Sequence, residues 1–210
     1  MRYYATASGP KVRDAMDRGL LGQIVTPAAG NRLEAGRDWI ADNAVFAGKY
    51  PGDDAYLAWL TNLLPAAEGC RFVVAPDVVG DAVATLARSM PMLPQIRDLS
   101  LPVAFVAQDG LEYLTGIPWA LFDVLFIGGT TEWKLGPIVR GLVAEAKEQG
   151  KWVHMGRVNS RARLQYALAI GCDSADGTFL AFGPDRNLPQ LIGWLREAAS
   201  QGALFGSVTS

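Results

Sequence analysis

Eight short apolar runs recur along the 210-residue chain, and amphipathic stretches separate most of them. Several runs are apolar throughout, such as Phe72-Val73-Val74-Ala75 and Val124-Leu125-Phe126-Ile127. Continuous apolar strands are typical of a parallel sheet that is covered on both faces. The predicted strands cover residues 2–7, 22–27, 39–45, 71–77, 103–108, 124–128, 152–158 and 172–176.

Helical patterns fill most of the connections between these strands. They cover residues 11–18, 53–64, 80–89, 135–149, 160–170 and 188–199, whereas the connections after the second and fifth strands carry weak helix signals. Eight alternating strand and helix units predict a compact (β/α)8 TIM barrel, with a doubly wound open sheet as the alternative. The length suits one core, so we expect a single domain over residues 1–210.

Composition restricts the class of protein. The net charge is −2 and charged residues make up 19 %, which disfavours disorder and a broad nucleic-acid surface. No apolar run reaches membrane-spanning length and the first residues lack a signal-peptide core, so we expect a cytoplasmic protein with no membrane partner. Two cysteines and one histidine are too few for the usual four-ligand structural zinc site, and Cys70 and Cys172 are expected to be free thiols.

Polar residues follow the apolar runs at the carboxyl ends of the predicted strands. In a barrel these ends meet at one face, where TIM-barrel chemistry is found. Any single Asp could equally cap the following helix, but Asp42, Asp77 and Asp176 each directly follow an apolar run. Clustered carboxylates repel one another, so at least one pKa should be raised and that group available as a general acid or base.

Such a pocket suits a purine with the hydrogen-bonding edge of guanine. A carboxylate accepts from N1–H and the exocyclic amine, while an amide or a backbone N–H donates to O6. Gln108 and the Gly128-Gly129 backbone would supply those donors. Phe46 and Met155 stand near the same rim and could stack on a base, although residue type alone favours ordinary core packing for both.

Taken in order, these segments resemble the tRNA-guanine transglycosylase superfamily, and most of all its short phage and bacterial relatives that place 7-deazaguanines in DNA. The resemblance runs from about residue 39 to 177. The matching segments are Asp42-Asn43-Ala44-Val45-Phe46, Ala75-Pro76-Asp77, Val106-Ala107-Gln108-Asp109-Gly110, Ile127-Gly128-Gly129, His154-Met155-Gly156 and Gly171-Cys172-Asp173-Ser174-Ala175-Asp176.

The resemblance implies a role for each segment. Asp176 would be the nucleophile and Asp42 the general acid/base, with Asp173 a supporting acid. A second group would bind the base, with Phe46 and Met155 on its two faces and Asp77, Gln108, Gly128 and Gly129 along its edge. Arg157 and Arg161 would hold phosphates, or else be solvated helix charges, and Arg163 is more typical of a structural residue.

The chain also departs from the family pattern. Asn43, Ala44 and Val45 stand where the family has Ser-Gly-Gly, and the family's zinc motif and RNA-binding domain have no counterpart, so no cofactor is expected. These differences favour DNA over tRNA as the polymer and a 7-deazaguanine as the incoming base. A second copy or an accessory protein would supply further phosphate contacts. A tRNA enzyme, a nucleoside hydrolase and a non-catalytic base-binding subunit stay open as alternatives.

Overall fold

The computed structural model describes residues 1–30 and 32–206, with side chains described as far as residue 200. Eight parallel strands form a closed barrel in sequence order, and pairing of the eighth strand with the first completes it. The strands are β1 Arg2–Ala5, β2 Gly22–Val25, β3 Trp39–Ala41, β4 Cys70–Val74, β5 Val103–Ala107, β6 Val124–Ile127, β7 Trp152–Met155 and β8 Ser174–Asp176. The predicted single-domain (β/α)8 barrel is confirmed.

Helices surround the barrel. They are α1 Pro10–Asp17, α2 Asp53–Thr61, α3 Ala82–Ser89, α4 Met92–Asp98, α5 Thr131–Lys134, α6 Ile138–Glu148, α7 Arg161–Ala169 and α8 Pro184–Gly206. As predicted, no helix lies in the described part of the β2–β3 connection, residues 26–30 and 32–38. The β5–β6 connection holds only two short 3₁₀ turns, Leu111–Tyr113 and Trp119–Leu121.

One helix, α4, was missing from the sequence prediction. The sequence prediction assigned no helix to residues 90–98, which contain Pro91 and Pro94. In the structure Pro91 is the N-cap and Pro94 lies in the first turn, where a backbone N–H has no intrahelical partner to lose.

Side chains alternate between two apolar layers along each strand. Val124 and Phe126 of β6 point into the barrel, whereas Leu125 and Ile127 pack against the helices. The barrel interior is filled by an aromatic-rich cluster, so the barrel is a packed core rather than a pore. The cluster contains Tyr4, Ile40, Phe72, Val74, Ala104, Val106, Val124 and Phe126.

Polar contacts close the barrel at the amino-terminal ends of its strands. The Asp38 carboxylate accepts hydrogen bonds from Arg2 Nε at 2.7 Å and from the Tyr4 hydroxyl at 3.0 Å. A cavity lies at the opposite end of the barrel.

Cys70 and Cys172 are both free thiols, as predicted. Among the described helices, none combines the length and the apolar character required to cross a membrane.

The barrel interior generates a stability prediction. Phe72 is fully buried and its ring contacts Tyr4, Phe126 and His154. Phe72→Ala should therefore lower the free energy of unfolding by about 3–5 kcal/mol, measured by urea denaturation. Phe182 is 74 % exposed and provides the matched control, since Phe182→Ala should cost less than about 0.5 kcal/mol. Equal losses in the two variants would contradict the described interior.

Candidate active site

A cavity of about 350 Å³ opens at the carboxyl ends of the strands, within the size range of small-molecule sites. It brings together side chains and backbone from β3, β4, β5, β6, β7 and β8. Seven of the residues that the sequence predicted line it: Asp42, Phe46, Asp77, Gln108, Gly128, Arg157 and Asp176.

Asp176 ends β8 and points into the barrel, where two hydrogen bonds fix its carboxylate. His154 Nε2 lies 2.9 Å from Oδ2, and the Arg157 backbone N–H donates to Oδ1 at 3.1 Å. Only 12 % of the side chain is exposed, so little of this anion meets solvent. Each oxygen keeps free lone pairs, and the two bonds hold the carboxylate in a single orientation beside the cavity.

His154 is the centre of a hydrogen-bond chain that the sequence did not predict. Trp152 Nε1 donates to Ser174 Oγ at 2.7 Å, and Ser174 Oγ lies 2.8 Å from His154 Nδ1. The serine hydroxyl can then donate to Nδ1, which assigns the ring proton to Nε2, facing Asp176. His154 is fully buried, so it can orient the Asp176 carboxylate but cannot contact a ligand in the cavity.

Asp42 follows β3 and enters the cavity on a tight turn. Its Oδ1 accepts the Ala44 N–H at 2.6 Å, and Ala44 adopts φ 62°. That left-handed conformation favours glycine, so alanine is an uncommon residue at this position. Because this turn ends the strand, β3 stops at Ala41 rather than at the predicted residue 45.

The pKa of the Asp42 carboxyl is raised to about 7, mainly by burial and to a smaller extent by the charges of Asp176 and Asp77, while the hydrogen bond from Ala44 N–H opposes the rise. Removal from water is the larger cause of the raised pKa, and the repulsion between carboxylates that the sequence predicted is a smaller one. A carboxyl with this pKa exchanges a proton near neutral pH, which suits a general acid/base.

Asp77 and Gln108 form a linked pair at the ends of β4 and β5. Gln108 Nε2 donates to Asp77 at 2.6 Å, while Gln108 Oε1 accepts from Gly80 N and Gly129 N at 2.9 and 3.0 Å. Asn43 Nδ2 donates to the other Asp77 oxygen at 2.8 Å. Burial raises the pKa of the Asp77 carboxyl and these amide donors oppose the rise.

Arg157 lies inside the cavity. Its guanidinium donates to the Gly128 carbonyl at 3.0 Å and to the Gly129 carbonyl, and it stacks over the Phe46 ring, 4.5 Å from the centroid. Phe46 therefore covers a planar cation in this state of the protein. Arg157 was predicted to hold phosphate, but the structure directs it towards the predicted base-binding groups.

Three predicted site residues lie elsewhere. Met155 is fully buried between the barrel and its helices, which contradicts its predicted stacking on a base. Asp173 precedes β8 at the opposite end of the barrel, where it accepts from Lys147 Nζ and Val153 N, so it does not support the cavity. Arg161 forms an exposed ion pair with Glu197 of α8 at 2.8 Å and is absent from the cavity lining.

The strand geometry explains two of these errors. Successive side chains of a strand point to opposite faces, so His154 faces the barrel interior and its neighbour Met155 faces the helices. The strand prediction began β8 at residue 172, but pairing begins at Ser174, and Asp173 therefore stays at the far end. Gly129 contributes its backbone to the Gln108 and Arg157 contacts without lining the cavity.

Comparison with known proteins shows the fold. No family model matches the chain, and no curated protein does. Among solved structures, 3-hexulose-6-phosphate synthase from Salmonella typhimurium covers 94 % of this chain and 100 % of its own, with 14 % identity and a TM-score of 0.58. The tryptophan synthase complex from Pyrococcus furiosus covers 85 % and 87 %, with 12 % identity and a TM-score of 0.53. At these identities the similarity extends to the barrel and no further.

The raised pKa of Asp42 predicts a pH-dependent effect of its replacement. Because the folded state holds the Asp42 proton up to about pH 7, the contribution of Asp42 to stability falls as the pH rises from about 4 to 7. Asp42→Asn keeps an acceptor for the Ala44 N–H and removes this penalty. Relative to the wild type it should gain about 1–3 kcal/mol between pH 4 and pH 8, measured by urea denaturation. A stability difference that stays constant across this range would contradict the assignment.

Proposed function

We propose that the chain is a guanine transglycosylase that exchanges guanine in a nucleic acid, with DNA favoured, for a 7-deazaguanine base. The observation that carries this proposal is the presence of two carboxyl groups with different surroundings in one cavity. Two hydrogen bonds hold the Asp176 carboxylate in one orientation, and the Asp42 carboxyl has its pKa raised to about 7. Carboxyl groups held in different environments are the arrangement that glycosidic-bond chemistry requires.

In the proposed first half-reaction, an oxygen of Asp176 attacks C1′ of the target nucleotide. A new bond between C1′ and the carboxylate oxygen forms as the bond from C1′ to N9 of guanine breaks. The electron pair of the broken bond stays on the base, and protonated Asp42 supplies a proton to it. The product is a glycosyl ester on Asp176 together with free guanine.

The second half-reaction reverses these roles. The incoming 7-deazaguanine loses its N9 proton to the Asp42 carboxylate, and N9 attacks C1′ and displaces Asp176. The sugar carbon is inverted twice, so the original anomeric configuration is retained.

Base recognition would fall to the remaining groups of the cavity. A free lone pair on Asp77 could accept from the N1–H and amine edge of the base, with Gln108 holding Asp77 in place. Phe46 is 64 % exposed and offers a flat ring at the mouth. A base that stacks on Phe46 would take the place of the Arg157 guanidinium, so we expect Arg157 to move outward when the base binds.

The polymer would have to present its target nucleotide outside the helix stack, because the cavity admits a base and not a duplex. An Arg157 side chain displaced from the cavity would lie beside the phosphates of such a nucleotide. The net charge of −2 predicts weak non-specific affinity, so a second copy or an accessory protein would add phosphate contacts.

The central prediction of this proposal concerns the two acids near β8. Asp176→Asn should abolish incorporation of a labelled 7-deazaguanine into guanine-containing DNA, because an amide cannot form the glycosyl ester. Asp173→Asn should keep exchange within about threefold of the wild type, since Asp173 lies at the opposite end of the barrel. Filter-bound radioactivity, with DNA and tRNA tested in parallel, measures both variants.

The outcomes of this assay separate the alternatives. Normal exchange by Asp176→Asn would exclude a nucleophilic role for Asp176. Release of free guanine without incorporation would identify a hydrolase that uses water as the acceptor. Tight base binding with neither reaction would identify a binding subunit.

A further inference from the structure

Lys134 is a lysine buried without a carboxylate partner. Its side chain is fully buried at the end of the short helix α5. Among the described side chains, no Asp or Glu oxygen lies within ion-pairing distance of its ammonium. Burying an unpaired ammonium is costly, so a lysine in this position calls for a compensating role.

The ammonium of Lys134 has one defined partner, the backbone carbonyl of Gly156. Nζ donates to Gly156 O at 2.5 Å, a short charge-assisted hydrogen bond. Gly156 follows β7 and lines the cavity. A side chain at this position would not fit, because a Cβ on Gly156 would lie 2.7 Å from the Phe126 ring.

The same peptide unit also contacts Asp176. The C=O and N–H of a trans peptide point in opposite directions, so a carbonyl directed at Lys134 directs the next N–H away from it. That N–H belongs to Arg157 and donates to Asp176 Oδ1 at 3.1 Å. One rigid peptide unit thus connects the buried ammonium to the carboxylate.

The backbone conformation at this point is unfavourable on its own. Arg157 adopts φ 59°, in the left-handed region that non-glycine residues rarely occupy. Such a conformation persists where the surroundings impose it. The bonds at the two ends of the Gly156–Arg157 peptide supply that restraint.

We propose that Lys134 is a positioning residue for Asp176, acting through the Gly156–Arg157 peptide, a role that rests on the proposed transglycosylase function. The ammonium holds the Gly156 carbonyl, and the peptide plane then aims the Arg157 N–H at Oδ1. His154 holds the other carboxylate oxygen. Together they keep the attacking oxygen aligned, and misplacement by about 1 Å can cost roughly 100-fold in rate.

The surroundings of Lys134 make its charged form unfavourable, so the residue lowers the stability of the folded protein. Burial is the main cause that lowers the pKa of Lys134 to about 7; the charges of Arg157 and Arg163 act in the same direction, and Asp176 opposes the shift. Because the folded state disfavours the ammonium, Lys134 in its charged form opposes folding at neutral and acidic pH. Replacing it with an apolar side chain of similar length removes this cost, which offsets the loss of the bond to Gly156, so the melting temperature at pH 6 should not fall.

The test combines three measurements on Lys134→Met. Single-turnover formation of the glycosyl-enzyme should slow roughly 10- to 100-fold, while KM for the base stays within about twofold. The melting temperature at pH 6 should not fall. The ¹H shift of the Arg157 amide in the free protein should move upfield as its bond to Asp176 lengthens.

Lys151→Met is the matched control, because Lys151 Nζ also donates to a backbone carbonyl, Phe122 O at 2.9 Å, at the other end of the barrel. It should leave the turnover rate and the Arg157 amide shift unchanged. A wild-type rate in Lys134→Met, an unmoved Arg157 amide, or a rate loss that merely follows a lower melting temperature would overturn the positioning role. The amide shift decides this question even if Asp176→Asn disproves the proposed function.

Discussion

Pairing between β8 and β1 is the constraint on which the candidate site depends. Tyr3 pairs with Ala175 and Tyr4 with Asp176, and this contact converts an open sheet into a barrel. Without it, Asp176 would lie at a sheet edge, far from the groups that follow β3 and β4. Pairing of β8 with β7 on its other side places His154 opposite Ser174, and His154 Nε2 lies 2.9 Å from Asp176 Oδ2. The local hydrogen bonds of the site follow from this long-range pairing.

The cavity concentrates charge that folding disfavours. Burial raises the pKa of the Asp42 carboxyl and lowers that of the Lys134 ammonium, both to about 7. In their charged forms both groups oppose folding, and buried groups that lower stability in this way are typical of functional sites. The left-handed backbone at Ala44 and Arg157 lies next to the same groups. Two of the three non-glycine residues with positive φ in the described chain therefore lie with these buried groups at the carboxyl ends of the strands, and the third, Ser100, precedes β5 at the opposite end.

The sequence predicted the barrel because apolar runs and helical patterns are local signals, and the polar residues directly after those runs identified Asp42, Asp77, Gln108 and Asp176. The prediction was wrong where the position of a side chain depended on a shift of one or two residues along a strand. Met155 and His154 exchange faces with a single step along β7, and β8 begins two residues later than expected, which moves Asp173 to the far end. The contact of Lys134 with Gly156 could not be predicted, because it depends on the tertiary structure. His154 did carry a signal, since it is a single histidine inside an apolar strand.

The proposed glycosyl ester on Asp176 is the central claim, and mass spectrometry tests it most directly. Protein in turnover with a guanine-containing DNA oligonucleotide is quenched in acid, treated with nuclease and protease, and sequenced by fragmentation of the peptide that contains both Asp173 and Asp176. We predict a deoxyribose-linked mass on Asp176 alone, lost when excess 7-deazaguanine completes the exchange. An adduct on Asp173 or on a peptide outside β8, or exchange with no protein adduct at any quench time, would contradict the account.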